Sequence, residues 1–503
     1  MTDQMAVVTF TSPTTATTLD ITSTQITETF SAAILIFSKE TTDDANNTHG
    51  VMGIGFIAPD NADSTESLFD VSLCTQMKDA DVLRPRVNTN HSTAASIKAN
   101  HGDAVGTIDI QAVYSASISG GVRLSFTTVA AGPIQTKGVA ILFAGLSRAS
   151  SGTLGATLAG VHESVGNSAS GRYTPDVVVF LASDGTLNAD HVDAAPTLGF
   201  ALNNAALSQV SAYVNTEDVT EPTDSDGAVR SAKCAEHFTG GRVDQTAAIT
   251  SFDATGFNIA ASGNTVNATY LALKFSSAMR LAVANLALPS SSGIATYTDP
   301  GFAPKIVFGM STLITSLDTL TDGATAAVAG FSAFSPTNAR AYAVHHKEGI
   351  NIPAGGNTSA HTRQGDYAAL LMDHTGTLTH QATWSAATTS GFQLNFSTAT
   401  AAGFLTALMI GPFESDETVS ITESSIVEVS AFQANETVGI SEGVTVYGTT
   451  TVFGEIVNIL DGLVLDTTAI VPIFADRLGG TAQALAIQGE TVESGAEMGT
   501  TAG

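Results

Sequence analysis

His345 and His346 are the only adjacent histidines in the chain, and His361, His374 and His380 follow close behind. Imidazoles ligate transition metals and move protons near neutral pH. On a strand, however, successive side chains point to opposite faces, so His345 and His346 do not share one metal. All five are read as structural or surface histidines. The most calcium-like stretch is DGTLNADHVD at Asp184–Asp193, whose oxygen donors suit a hard cation. It lacks the D-x-D-x-D-G spacing, and its later counterpart TSLDTLTDG is poorer in acids, so it reads as a solvated loop. GNSASG at Gly166–Gly171 is not a G-x-S-x-G elbow, and there is no Walker loop, no H-E-x-x-H and no C-x-x-C. Paired carboxylates of the glycosidase kind meet in space and are not legible along a chain. No catalytic, cofactor-binding or metal residue is assigned, no cofactor is expected, and the chain is not read as an enzyme.

The elements that would position any such group are repeated. YTPDVVVF at Tyr173–Phe180, GFAL at Gly199–Leu202, SFDATGFNIA and YLALKF (ending at Phe275) form a sentence that is written again downstream. There it reads FAPKIVF (Phe302–Phe308), GFSAF (Gly330–Phe334), SGFQLNF (Ser390–Phe396) and FLTALMI (Phe404–Ile410). A looser version comes first: FSAAILIF (Phe30–Phe37), GIGFIAP (Gly53–Pro59), GGVRLSF (Gly120–Phe126) and GVAILFAG (Gly138–Gly145). Three copies at a period of roughly 130 residues mean one fold used three times. Within each copy, short β-branched runs alternate with polar loops and no 3.6-residue period is sustained, which predicts β-sandwiches. The Gly-Phe pairs read as a tight turn or bulge followed by a core residue, with Phe200, Phe257, Phe331 and Phe392 pointing into the core.

The expected organisation is all-β: an N-terminal β arm (1–29), then three tandem β-sandwich or jelly-roll-like domains (30–146, 172–277 and 301–411). The Ser/Gly/Ala-rich stretches between them, 146–172 and 278–300, read as linkers. After Gly411 the text changes. ETVSITES (Glu417–Ser424), ETVGISEG (Glu436–Gly443) and EIVNILDG (Glu455–Gly462) recur at a step of roughly 19 residues, so 412–503 is expected to be short β repeats with a tail. Each repeat has one apolar face and cannot bury it alone. Either the units stack as a small solenoid, or the same segments from several chains wrap together.

Bulk chemistry excludes some functions. The chain has 503 residues, only 13% of them charged, and a net charge of −28 from 47 acidic and 19 basic side chains. Such an acidic surface repels phosphate backbones and anionic lipid, so neither nucleic acid nor membrane is an expected partner. Cys74 and Cys234 fall at different places in different copies and are read as small buried hydrophobes. The start MTDQMAVVTFTS has no basic region followed by an apolar core, so no signal peptide is expected.

The repeated frame, F-x-P-(D/K)-x-V-x-F, then G-F-A, then G-F-x-(L/I), then Y-L-A-L, resembles a domain of tailed-bacteriophage virion proteins. The first copy departs most: no Pro follows Phe30 in this pattern, and Val122 stands in place of the second Phe. The resemblance implies a concanavalin-like or jelly-roll sandwich and a structural protein on the outside of a virion, made in the host cytoplasm. A tail fibre, tail-tip appendage or capsid decoration is expected, acting by assembly with other virion proteins. By analogy it is a homo-oligomer, a trimer, with host-surface glycan as a further partner. The alternative is a carbohydrate-binding or carbohydrate-cleaving sandwich. That needs exposed aromatic platforms, whereas Trp384 is the only tryptophan.

Overall fold

The computed structural model describes residues 3–411 except 41, 49, 60–69, 78–86, 101–107, 130–136, 155–159, 164–171, 184–186, 189, 193–195, 218–223, 240–242, 263–266, 277–278 and 347–359; beyond 411 it describes only seven short strands. Met1–Gly411 is one compact unit and Pro412–Gly503 another. No α-helix occurs among the described residues, and the fold is an all-β sandwich type.

Among the described residues, each copy has eleven strands in chain order. The first runs β1 (Gln4–Thr11), β2 (Thr18–Thr22), β3 (Phe30–Phe37), β4 (Asn47–Thr48), β5 (Gly50–Ile57) and β6 (Asp70–Met77). It ends with β7 (Val87–Ser92), β8 (Ile97–Asn100), β9 (Ile108–Ile118), β10 (Gly121–Val129) and β11 (Lys137–Ala144). The second copy begins β12 (Arg148–Leu154), β13 (Gly160–Glu163), β14 (Val177–Ser183), β15 (Asp190–Val192), β16 (Thr197–Leu202) and β17 (Gln209–Glu217). Then come β18 (Asp224–Arg230), β19 (Ala235–Thr239), β20 (Val243–Asp253), β21 (Gly256–Ser262) and β22 (Asn267–Lys274). The third begins β23 (Leu281–Leu288), β24 (Gly293–Tyr297), β25 (Ile306–Thr312), β26 (Thr321–Asp322), β27 (Val328–Phe334) and β28 (Ala339–His346). It closes with β29 (Ala360–Gly365), β30 (Ala369–Met372), β31 (Leu378–Thr388), β32 (Gly391–Ala399) and β33 (Gly403–Ile410).

Each copy folds as a long sheet facing a short one, with the same strand order every time. The long sheets run β1-β11-β3-β5-β6-β7, β12-β22-β14-β16-β17-β18 and β23-β33-β25-β27-β28-β29. The short sheets run β2-β10-β9-β8, β13-β21-β20-β19 and β24-β32-β31-β30. Residues 1–29 therefore contribute β1 and β2 to the first copy's two sheets. The stretches expected as linkers are likewise strands: β12 pairs with β22, β13 with β21, β23 with β33 and β24 with β32. Their small residues are packing choices rather than signs of a loose tether. A Cβ on Gly152, for instance, would sit 2.6 Å from the Tyr270 hydroxyl across the β12–β22 ladder.

Burial explains the apolar runs. Strands β14, β16, β25 and β27 are buried at every residue, whereas β9 and β31 on the short sheets alternate toward an exposed face. A strand covered on both sides loses the hydrophobic alternation. One face of each long sheet packs on its own short sheet, giving three separate cores around Phe126, Phe257 and Phe392. The other face joins a single cluster shared by all three copies, containing Ile34, Phe56, Val179, Phe200, Phe308 and Phe331. Phe200 and Phe308 meet edge to face at 5.5 Å across two copies.

The Gly-Phe signature is thus two devices. At Gly55, Gly199 and Gly330 an added Cβ would lie 1.8, 1.7 and 2.5 Å from the carbonyl oxygens of Ser96, Cys234 and Leu370. Glycine there lets the short sheet's chain approach the long sheet's backbone, and this replaces the expected turn or bulge. The following Phe56, Phe200 and Phe331 turn the other way, into the shared core. Phe257 and Phe392 fill the sandwich interiors instead.

Beyond Gly411 the strands are β34 (Val419–Ile421), β35 (Ile426–Glu428), β36 (Val438–Ile440), β37 (Thr445–Gly448), β38 (Asn458–Ile459), β39 (Val464–Thr467) and β40 (Ala486–Ile487). They pair in parallel as β34-β36-β38 and β35-β37-β39-β40. Val419 lies opposite Val438 and Thr445 opposite Val464, a step of 19 residues in each case. Alternate strands feeding two parallel sheets, at a step of 19 residues except for the 22 between Val464 and Ala486, are the pattern of a solenoid stacked within one chain.

Gly199→Ala is expected to lower stability by about 1–3 kcal/mol through overpacking against a backbone carbonyl that cannot swing away. A lower urea midpoint for residues 1–411, at unchanged fold by circular dichroism, is the measurement.

Candidate assembly site

After its third strand (β3, β14 or β25), each copy sends a loop out to the sheet edge of a neighbour. The short strand in that loop adds one more strand there: β15 on β7, β26 on β18, and β4 on β29. The second copy thus donates to the first, the third to the second, and the first to the third. The donations close a ring within one chain. An exposed edge strand is a template for further pairing, and here the β7, β18 and β29 edges are covered by the next copy.

Each donor loop places one Asp or Asn in the left-handed region: Asp44 at φ 61°, Asn188 at φ 64° and Asp318 at φ 57°. Asp and Asn tolerate this conformation better than other residues with a Cβ. The same residues bond to the acceptor copy. Thr93 N–H donates to Asn188 Oδ1 at 2.8 Å, and Asn188 Nδ2 donates to Thr93 Oγ1 at 2.7 Å. Ser231 N–H donates to Asp318 Oδ1 at 2.9 Å while its hydroxyl donates to Oδ2, and Asp318 N–H donates to the Val229 carbonyl at 2.8 Å. Asp44 N–H donates to the Gln364 carbonyl at 2.9 Å, and Tyr367 OH donates to Asp44 Oδ1 at 2.6 Å.

The junction between the first and third copies is the one that no short stretch of chain spans, and it carries the richest polar network. Arg340 donates to Asp43 at 2.6 Å and to Asp366 at 2.9 Å, and Lys137 donates to the other oxygen of Asp43 at 2.8 Å. Buried Gln364 accepts from the Ser38 hydroxyl and donates to the Glu40 carbonyl and to Asp43, both at 3.0 Å. Val51 N–H donates to Thr362 Oγ1 at 2.6 Å, and Asn46 Nδ2 to the Gly376 carbonyl at 2.8 Å. Burial acts to raise the Asp43 carboxyl, but hydrogen bonds from Arg340 and Lys137 outweigh it and hold the group below the usual range. Burial pushes Glu40 up to about 7, against the pull of Lys39.

The residues that the sequence singles out fall as follows. His345 is fully buried on β28, and its Nε2 lies 3.1 Å from Nδ1 of His361 on β29. His346 is on the same strand, with its side chain outside the described residues. His374 is in the turn after Met372, and buried His380 is on β31, where its Nε2 meets the Pro289 carbonyl at 3.1 Å. Burial lowers the His380 pKa. Among the described residues no three His, Cys, Asp or Glu side chains gather to hold a metal. The stretch 184–193 is a donor loop, of which 184–186, 189 and 193 lie outside the described residues. The polar stretch 217–227 contains Asp224–Gly227 of the acceptor strand β18, with 218–223 outside the described residues. Residues 166–171 also lie outside them. Cys74 and Cys234 are buried and form no disulfide, and burial pushes the Cys234 thiol up to about 12. Trp384 stacks on Phe392 at 5.5 Å and packs against the third copy's core. Sequence reasoning missed Asp44, Asn188 and Asp318 as a set; their shared place after the first apolar strand of each copy was the available signal.

Asp318→Ala removes both bonds to Ser231 and puts a Cβ residue without a local partner in the left-handed region, a loss of about 1–2 kcal/mol. Faster amide exchange at β18 and β26, with β4 and β29 unchanged, checks this. A depressed carboxylate contributes stability above its unfolded value of about 4 and loses it as pH falls through the lower folded value. Below about pH 4 the junction of the first and third copies should therefore weaken, and Asp43→Asn should lack that step in urea midpoints measured against pH. In comparisons with known proteins, no family model matches the chain, and no curated protein and no solved structure matches it.

Proposed function

We propose that this protein is a structural assembly component, placed by its motif resemblance on the outside of a tailed-bacteriophage particle as a tail fibre, tail-tip appendage or capsid decoration. One observation carries the structural half of this reading. The repeated residues are spent on a shared apolar core and on strand donation between copies, which are the interactions of a building block. The virion half rests on the repeated F-x-P, G-F-A and Y-L-A-L frame alone.

In this reading Met1–Gly411 is a ring that covers one edge of each long sheet with a strand of the next copy, and assembly with sister chains or other virion proteins falls to Pro412–Gly503. A short stack of parallel strands leaves a first and a last rung with no neighbour. The acidic character of the chain, −28 overall, keeps such particles soluble and apart until they meet a specific partner. A carbohydrate-binding reading gains no support from Trp384, whose ring is stacked on Phe392 rather than offered as a platform.

Truncation after Gly411 should leave a folded, monomeric ring, while the full chain forms a stable oligomer, a trimer by analogy. Light scattering on both proteins decides this. A monomeric full chain would sink the assembly role of residues 412–503.

A further inference from the structure

The Lys–carboxylate pairs of the described residues are not equally wet. In Lys137–Asp43 and Lys274–Asp176 both side chains are a quarter or more exposed. Lys39 Nζ touches Asp109 Oδ2 with the two side chains only 11% and 2% exposed. Lys39 lies just past the end of β3 in the first copy's long sheet, two residues after fully buried Phe37. Asp109 is on β9 of the facing short sheet. Its direction comes from the β8–β9 register. Ala99 faces Ile110 and Asn100 faces Ile108, so Asp109 is the extra residue of a bulge. Plain alternation would send it to the face opposite Ile110, but a bulge re-aims a side chain.

The pair is peculiar to the first copy. Leu35, Phe180 and Ser311 are equivalent, since each faces a close-approach glycine. Ala112, Ala247 and Ala382 are equivalent too, since their carbonyls accept from Ser96, Cys234 and Ala368 N–H. Counted from these, the places of Lys39 and Asp109 hold Asp184 and Asp244 in the second copy and Thr315 and Thr379 in the third. The side chains of Asp184 and Asp244 lie outside the described residues. Only the first copy has an amine and a carboxyl group at these two places.

We propose that Lys39 and Asp109 condense into an amide, an isopeptide cross-link that staples the two sheets of the first copy together. The proposal does not depend on the virion reading. One proton passes from the ammonium to the carboxylate oxygen, which leaves an amine and an acid with the charge of the pair unchanged. The nitrogen lone pair attacks Cγ and forms the C–N bond. The C–O bond then breaks, and a second nitrogen proton leaves with the hydroxyl as water. The last hydrogen stays as the amide N–H, and no other reagent is consumed. The remaining Asp109 oxygen becomes the amide carbonyl and still accepts hydrogen bonds.

The surroundings favour this step. A buried ion pair keeps two charges out of water, whereas the amide is neutral. Well-oriented groups held in contact react at effective molarities of about 10⁵ M and above. Glu40 is next in the chain and feels the Lys39 charge, and burial raises its carboxyl to about 7. Such a group gives and takes a proton readily near neutral pH, as the transfers from nitrogen to the departing hydroxyl require. The link closes a loop of about 70 residues and so restricts the unfolded chain.

Mass spectrometry of the full chain, folded and then denatured, tests the link. The chain should be lighter than its sequence by one water, and proteolysis should release a branched peptide joining Lys39 Nζ to Asp109. Lys39→Arg should restore the sequence mass, because a guanidinium does not attack. Should that variant fail to fold, the branched peptide of the unaltered chain decides alone. Glu40→Gln should slow linkage about a hundredfold at unchanged circular dichroism, and an unchanged rate would remove Glu40 from the step. Lys39 and Asp109 recovered in separate, unmodified peptides would overturn the proposal. So would a water loss that persists in Lys39→Arg, or one that maps to a succinimide at an Asp-Gly step such as Asp322–Gly323.

Discussion

The structure depends on one apolar cluster that belongs to no single copy. Ile34, Val179 and Phe308, each at the centre of its own long sheet, are fully or almost fully buried in the same core. A long sheet on its own would leave this face open, and an apolar face of that size is not stable in water. Each copy has a sandwich interior of its own but requires the other two to cover its second face. Burial on both sides sets the sequence character of β14, β25 and their equivalents, and it makes the three copies one body.

Hydrophobic contact is non-directional and does not by itself fix how three sheets register around a shared core. The donated strands do that. Each ties one copy to the edge of the next by backbone ladder bonds, and each is held by an Asp or Asn in the left-handed region that bonds to the acceptor chain. Two of the three junctions also have a short chain connection between copies. The junction from third to first has none, and it has the densest set of directional bonds: Arg340 between Asp43 and Asp366, and buried Gln364 bonded to Ser38, Glu40 and Asp43. Charged and amide groups in such a place lose solvation unless every partner is in position, so they reject misregistered closures more than they add stability.

The two units of the chain solve the same edge problem differently. Antiparallel sandwiches must cover their last strand with something from elsewhere, and donation within a ring supplies it. Parallel strands repeating at 19 residues cover one another by stacking, and only the ends of the stack stay open. This difference motivates assigning outward contacts to the second unit.

Several features were determined by the sequence alone. Apolar runs such as FSAAILIF and YTPDVVVF, repeated Gly-Phe pairs and the absence of a helical period specify strands, a threefold repeat and an all-β sandwich. The 19-residue step after Gly411 was legible too, because in-register parallel stacking needs the same residue types at the same step. What lies between the repeats was not legible. Ser- and Gly-rich strands such as β12 look like linkers, since their packing partner, Tyr270, is about a hundred residues away. The loop at 184–193 looked like a solvated or calcium-binding loop, because nothing local says that Asn188 will bond to Thr93. The His345–His361 contact was hidden likewise, since which residues face each other across two strands depends on register and not on spacing. Local chemistry follows from the order of residues, but a ring closed by contacts between residues more than three hundred positions apart exists only once all three sheets have met.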